Sequence, residues 1–260
     1  MPASPPPLGG GGCSQCRAEG MLELQPLFPL ALARVQLRLD PWDLALLMQE
    51  VLALRGASDG NPTPGCAWTG DLNGIWQLHR LPGFAAISAE VERQSWAYLQ
   101  ALGFRPGAVA LHIQRSWPVV SEPGQVVGRH HHPNAHLSGV LYLNGDGSGR
   151  SGCLRLFAPR QSNELVPGLA VGHGGPIDAG SEGGQRWNAP WLDVAPQAGL
   201  LVLFPAATDH AVTSNDDPED LRLSLAYDLA LTAPLAEATQ PAPAEYLAPH
   251  PSQWSTVAEP

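Results

Sequence analysis

Histidines at positions 130, 131, 132 and 210 and an arginine at 222 are the side chains of this sequence whose types and spacing point most directly to chemistry. The first three lie in Arg129-His130-His131-His132-Pro133-Asn134. On an extended backbone, side chains alternate between faces with period two, so His130 and His132 project together and His131 points away. Two such imidazoles share one ion. A third histidine from another strand completes three ligands on one face of an octahedral ion and leaves the other positions for small molecules. His210, at the exit of Phe204-Pro205-Ala206-Ala207-Thr208-Asp209, is the candidate third ligand. Nitrogen ligands of this kind suit iron(II).

Arg222 lies on the next apolar stretch, and its guanidinium fork can hold a carboxylate in bidentate fashion. Ser224 projects from the same strand face and can donate a hydroxyl to the same anion. A competing reading pairs Arg222 with Asp216, Asp217, Glu219 or Asp220, because a cation in an apolar alternation must find a partner. Asp209 is either an acid that orients the His210 ring or an exposed loop acid.

The elements that must position these groups are legible in the hydrophobic pattern. Ala33, Val35, Leu37 and Leu39 alternate with polar residues, which predicts a half-buried strand over 33–39. Asp40 then caps a helix with Pro41 in its first turn, and Gly56 stops it. After a Gly/Pro/Asn-rich connection over 57–70, Phe84, Ile87, Val91, Tyr98 and Leu102 predict a second helix that ends at Gly103. Beyond Gly107 the pattern changes to short strands at 109–113, 137–143, 153–157, 200–204 and 221–229, separated by Gly/Pro/Asn turns. Two helices followed by many short strands predict a mainly β fold with flanking helices, a double-sheet barrel. The Gly-rich stretch over 161–195 reads as a lid, binding loop or insertion, with Trp187 and Trp191 as closing residues or as anchors.

Length and composition bound the alternatives. The domain is placed over 21–231, with a disordered N-terminal segment over 1–20 and a disordered Pro/Ala-rich tail over 232–260. Met21 opens the first patterned sequence and is an alternative start. A net charge of -10 with 14 Lys and Arg together argues against a phosphate-neutralising surface, so no nucleic-acid partner is expected and the substrate is a small molecule or peptide. No apolar run reaches the roughly 18–20 residues that span a bilayer. The N-terminus lacks the basic start and apolar core of a signal peptide, which predicts a cytoplasmic protein with reduced thiols. Cys13 and Cys16 form a CxxC, but no second pair sits at zinc-finger spacing.

Taken together, His130-x-His132-Pro133-Asn134-Ala135-x-Leu137-Ser138-Gly139-Val140-x-Tyr142-Leu143, Gly152-x-Leu154-x-x-Phe157-x-Pro159-Arg160, Pro196-x-x-Gly199-x-Leu201-Val202-Leu203-Phe204-Pro205, His210-x-Val212 and Arg222-x-Ser224 carry a family likeness. The sequence resembles the 2-oxoglutarate- and iron(II)-dependent oxygenases, in a branch with a His-x-His-Pro-Asn motif that is more distantly similar to prolyl hydroxylases. The resemblance runs from about Leu27 to Tyr227. It implies a double-stranded β-helix (jelly-roll) barrel, iron(II), 2-oxoglutarate as co-substrate, dioxygen, and hydroxylation of an unactivated C–H bond. By matching motif it implies that His130, His132 and His210 bind the metal and that Arg222 clamps the co-substrate. Asn134 and Tyr142 are then candidates to line the co-substrate pocket, although Tyr142 also fits simple core packing with its hydroxyl at the rim. No catalytic side chain is expected beyond the metal centre.

One departure stands out. The wider superfamily uses His-x-Asp/Glu, and here His132 takes the carboxylate's place. Three neutral imidazoles leave the ion's charge to be balanced by bound anions. A second register would make His132 the first ligand, with Asn134 in the carboxylate's place. Two other functions compete: a cupin-type dioxygenase with three histidines and no 2-oxoglutarate, and a barrel that binds metal or ligand without turnover. Pro196-x-x-Gly199 favours the cupin, whereas the lack of a glutamate in Pro133-Asn134-Ala135-His136-Leu137 opposes it. Arg222 discriminates, because only the oxygenase needs it for an acid co-substrate.

Overall fold

Helix α1 (Pro41–Gly56) begins where the chain supplies both start signals: the Asp40 carboxylate accepts a hydrogen bond from the Trp42 N–H at 2.8 Å, and Pro41 occupies the first turn. Helix α2 (Ala85–Ala101) follows Phe84, and Ile87, Val91, Tyr98 and Leu99 form its buried stripe. The computed structural model describes residues 28–60, 63–160, 189–236 and 247–257. The expected CxxC, Trp187 and most of the 161–195 stretch lie outside them. No described helix is long and apolar enough to cross a membrane.

Ten strands complete the described chain: β1 (Ala33–Gln36), β2 (Trp68–Thr69), β3 (Ala110–Ser121), β4 (Val127–His130), β5 (Leu137–Tyr142), β6 (Leu154–Phe157), β7 (Trp191–Val194), β8 (Leu200–Pro205), β9 (His210–Val212) and β10 (Arg222–Thr232). They form two antiparallel sheets, one in the order β1-β8-β5-β10-β3-β2 and the other β4-β9-β6-β7. The expected first strand stops at Gln36, three residues short of the apolar alternation. Four strands lie outside the expected spans, the three-residue β9 among them. β2 falls in the Gly/Pro/Asn-rich connection and is too short to show a period; β4 carries Gly128 and Arg129; β7 ends the Gly-rich stretch. β7 is held by its ladder with β6 and by the Arg155–Asp193 ion pair at 2.7 Å.

Alternation along the strands separates two apolar layers. Leu141, Leu201, Leu203, Leu223, Leu225 and Tyr227 face α1 and α2, meeting Leu47, Val51, Ile87 and Val91 in the larger core. Tyr142, Val202 and Phe204 face the other way and pack on Leu154, Leu156 and Val194 of the second sheet. The two sheets therefore lie face to face, as a double-stranded β-helix requires. Within the stretch expected as a tail, the Ala233 N–H donates to the Ala248 carbonyl at 2.8 Å and Leu247 packs on the larger core.

Candidate metal centre

β4 ends at His130 and β9 begins at His210, and these two residues are direct partners across the ladder. Their ring centroids stand 4.3 Å apart. His132 lies just past β4, where its backbone N–H donates to the Ala206 carbonyl at 3.0 Å. Its ring centroid is 5.1 Å from each of the other two. One ring nitrogen from each of the three lies within 4.8 Å of the others, and this is the group of His, Cys, Asp and Glu among the described residues that could hold an ion.

Each imidazole is oriented through its other nitrogen. His130 Nδ1 meets the Gly128 carbonyl at 2.7 Å, and His210 Nδ1 meets the Thr208 carbonyl at 2.9 Å. A carbonyl only accepts, so both rings carry their proton on Nδ1 and present a lone pair at Nε2. His132 Nδ1 lies 2.7 Å from Oδ1 of Asp228, a fully buried carboxylate. Trp117 stacks on the His132 ring at 5.8 Å between centroids, and Phe204 meets His210 edge-on at 5.1 Å. The donor set is thus fixed by hydrogen bonds on one side and aromatic packing on the other, and it fits iron(II) in chemistry.

Electrostatics keep two of the three imidazoles neutral. Burial holds His210 down to about 4, and the neighbouring His130 and His132 push the same way against the Thr208 carbonyl. Burial also lowers His130, with the Gly128 carbonyl opposing. Both are neutral near pH 7, as metal ligation requires.

Arg222 is buried at 1% exposure at the first position of β10. Its Nη1 donates to the Ser151 carbonyl at 3.1 Å, while Nη2 is buried with no hydrogen-bond partner. No described acid forms an ion pair with it, so the predicted pairing with Asp216, Asp217, Glu219 or Asp220 is not what the structure contains. Asp217 instead faces Arg150 at 3.5 Å. A buried guanidinium left short of a partner costs several kcal/mol, on the order of 3–5, which an incoming carboxylate would offset. Gly152 makes room for it. Its φ is +88°, and an added Cβ would sit 2.6 Å from Arg222 Nη1.

The remaining candidates divide. Ser224 is buried, shares the Arg222 face of β10 and lies opposite Tyr142 on β5. The Tyr142 hydroxyl is fully buried, and burial pushes it up to about 12 against the pull of the Arg222 charge. Asn134 is on the outside, where its amide donates to Gln114 Oε1 at 3.1 Å. His131 is exposed and faces Asp209 at 3.1 Å, and His136 accepts from the Leu231 N–H. Asp209 does not orient His210; it binds Arg129 at 2.7 Å and His131 instead. Trp191 lies beneath the Arg155 guanidinium, 4.4 Å from its centre. Asp228 went unremarked in the sequence, and its signal was parity: positions 222, 224, 226 and 228 all share one face.

Residues 115–228 match the sequence model of the family described as "Putative 2OG-Fe(II) oxygenase". Among solved structures, the non-heme alpha ketoglutarate dependent carbocyclase SnoK from nogalamycin biosynthesis is similar at 13% identity and a TM-score of 0.51, over 78% of this chain and 80% of that one. AviO1 from Streptomyces viridochromogenes Tue57 is similar at 17% identity and a TM-score of 0.50, over 82% of this chain and 93% of that one. At these identities the two structures speak to the fold alone. No curated protein matches the sequence. The matched segment contains all three histidines and Arg222.

Proposed function

We propose that His130, His132 and His210 hold iron(II), that Arg222 binds the distal carboxylate of 2-oxoglutarate, and that the protein hydroxylates a small molecule or a peptide side chain in the cytoplasm. The unpartnered Nη2 of Arg222, fully buried in the same barrel that carries the three histidines, is the observation that carries this reading. Iron(II) with 2-oxoglutarate supplies the activation of dioxygen, the co-substrate leaving as succinate and carbon dioxide while one oxygen atom enters the C–H bond. The chain's own residues do the rest. The Gly128 and Thr208 carbonyls keep His130 and His210 in the binding tautomer. Arg222 and Ser224 fix the acid from one strand face, and Tyr142, neutral throughout the physiological range, is a hydroxyl beside them. Val202, Phe204, Leu154 and Leu156 exclude water from the interior.

Charge supports the substrate class. A net charge of -10 and the scarcity of cations disfavour a polyanion. The second-register ligand, Asn134, is held outward by Gln114, which supports His132 over it.

Anaerobic titration with iron(II) and 2-oxoglutarate tests the reading. A weak metal-to-ligand charge-transfer band is expected from the wild type and not from His210→Ala, followed by uncoupled succinate formation when oxygen is admitted. A folded wild type that gives no band sinks the proposal. A cupin-type enzyme would bind the metal and be indifferent to replacement of Arg222.

A further inference from the structure

Asp228 is the most constrained charge in the molecule. It has no exposed surface, and one of its oxygens takes His132 Nδ1 at 2.7 Å and the Ser138 hydroxyl at 3.5 Å. Its other oxygen, Oδ2, is buried with no partner. Arg115 is its cross-strand partner on β3 and would be the natural counter-ion, yet the Arg115 guanidinium turns away to Asp71 at 2.7 Å. No arginine among the described residues pairs with Asp228, and His132 is its one ion-pair partner there. A buried carboxylate with an orphan oxygen is strongly unfavourable unless positive charge reaches it by another route.

That route is through the imidazole. His132 has two nitrogens: Nδ1 is committed to Asp228, and the ring stands among His130 and His210 with its other nitrogen available. Stacking on Trp117 keeps the ring in this plane. A dication bound by the three imidazoles would place positive charge on the far side of the ring from the carboxylate. Resting on the oxygenase reading, we infer that Asp228 is a positioning residue that lends the metal, through His132, the negative charge that three neutral imidazoles do not supply. The acid stands one residue back from the imidazole cluster, and His132 is its relay. A carboxylate hydrogen-bonded to a ligating histidine fixes the tautomer and raises ligand basicity, so its removal weakens metal binding about 10–100-fold.

The same geometry accounts for the position of the residue. Asp228 is the last inward-facing residue of β10 before the ladder with β3 shifts register between Asp228 and Leu229. It is also opposite Ser138 on β5. The ladder with β5 runs through this position without a shift, so it holds the carboxylate on that side.

The test uses the full chain, with cobalt(II) alone as the probe. Asp228→Asn preserves shape and removes charge. It is expected to remain folded by circular dichroism, to bind cobalt(II) 10–100-fold more weakly than wild type, and to shift the visible d–d bands of the bound ion. His132→Ala is the reference for a lost ligand. Binding by Asp228→Asn within twofold of wild type, while His132→Ala loses the ion, would overturn the inference and leave the three-histidine site standing. A wild type that takes up no cobalt(II) would overturn both. Should Asp228→Asn fail to fold, the zinc-loaded wild type decides by nuclear magnetic resonance. A slowly exchanging, far-downfield His132 Nδ1–H proton supports the carboxylate contact, and an ordinary, rapidly exchanging one refutes it.

Discussion

Arg222 and Asp228 stand on one face of β10, the cation at the strand's first residue and the anion six positions on, with Ser224 and Ala226 between them. Both are fully buried, and each has one polar atom left without a partner. One strand thus presents a positive and a negative group to the barrel interior, each with one unsatisfied polar atom.

Replacing Arg222 with Met should separate stability from binding. The change removes one charge-assisted hydrogen bond, worth roughly 1.5–3 kcal/mol, and a buried unpaired charge costing on the order of 3–5 kcal/mol. The second effect is the larger. Thermal melting of the ligand-free variant should therefore match or exceed wild type, while protection by 2-oxoglutarate disappears. A variant that melts far lower would mean that Arg222 is a structural residue.

The three adjacent histidines should behave unequally. His130→Ala should lose nickel(II) binding by calorimetry, whereas His131→Ala should keep wild-type affinity, since its ring is exposed and faces Asp209. Equal losses in both variants would contradict the alternation that places His130 and His132 together.

Gly152 leaves room for Arg222, the proposed anion clamp. With φ at +88° and Arg222 Nη1 only 2.6 Å from the place of an added Cβ, Gly152→Ala should destabilise the fold by about 1–3 kcal/mol and weaken 2-oxoglutarate binding. Metal affinity should stay unchanged, because no triad atom is near that position among the contacts of Gly152. Denaturant melts and separate titrations of metal and acid would check both halves.

Stability should fall at high pH in a defined window. Burial raises both Tyr142 and Tyr227 to about 12, against about 10 in an unfolded chain. Between these values the unfolded state releases protons that the folded state retains. Stability is therefore full below about pH 10 and is lost as pH rises toward about 12, by roughly 2–3 kcal/mol per tyrosine. The sequence contains no lysine to titrate alongside. Tyr227→Phe should remove one share of the loss in urea melts at pH 9 and 11, and an unchanged slope would refute it.

The clustering of His130, His132 and His210 is legible in the sequence. Parity placed His130 and His132 together because a period of two survives just past the end of β4. Arg222 and Ser224 were readable for the same reason on β10. The strands missed were those whose residues carry no apolar alternation: β2 has two residues, and β7 follows a run of glycines. The role of Asp228 was hidden differently. Its partner is far away in sequence, and only the pairing of β5, β10 and β3 brings Ser138, Asp228 and Arg115 side by side. Asp209 adjoins His210 in sequence, yet it lies just before β9 and its carboxylate goes to Arg129 and His131.

β10 lies inside the larger sheet, hydrogen-bonded to β5 on one side and to β3 on the other. A strand held on both edges cannot stretch or slide without breaking ladders that belong to the whole barrel. The interval between its two charged residues is therefore a fixed gauge.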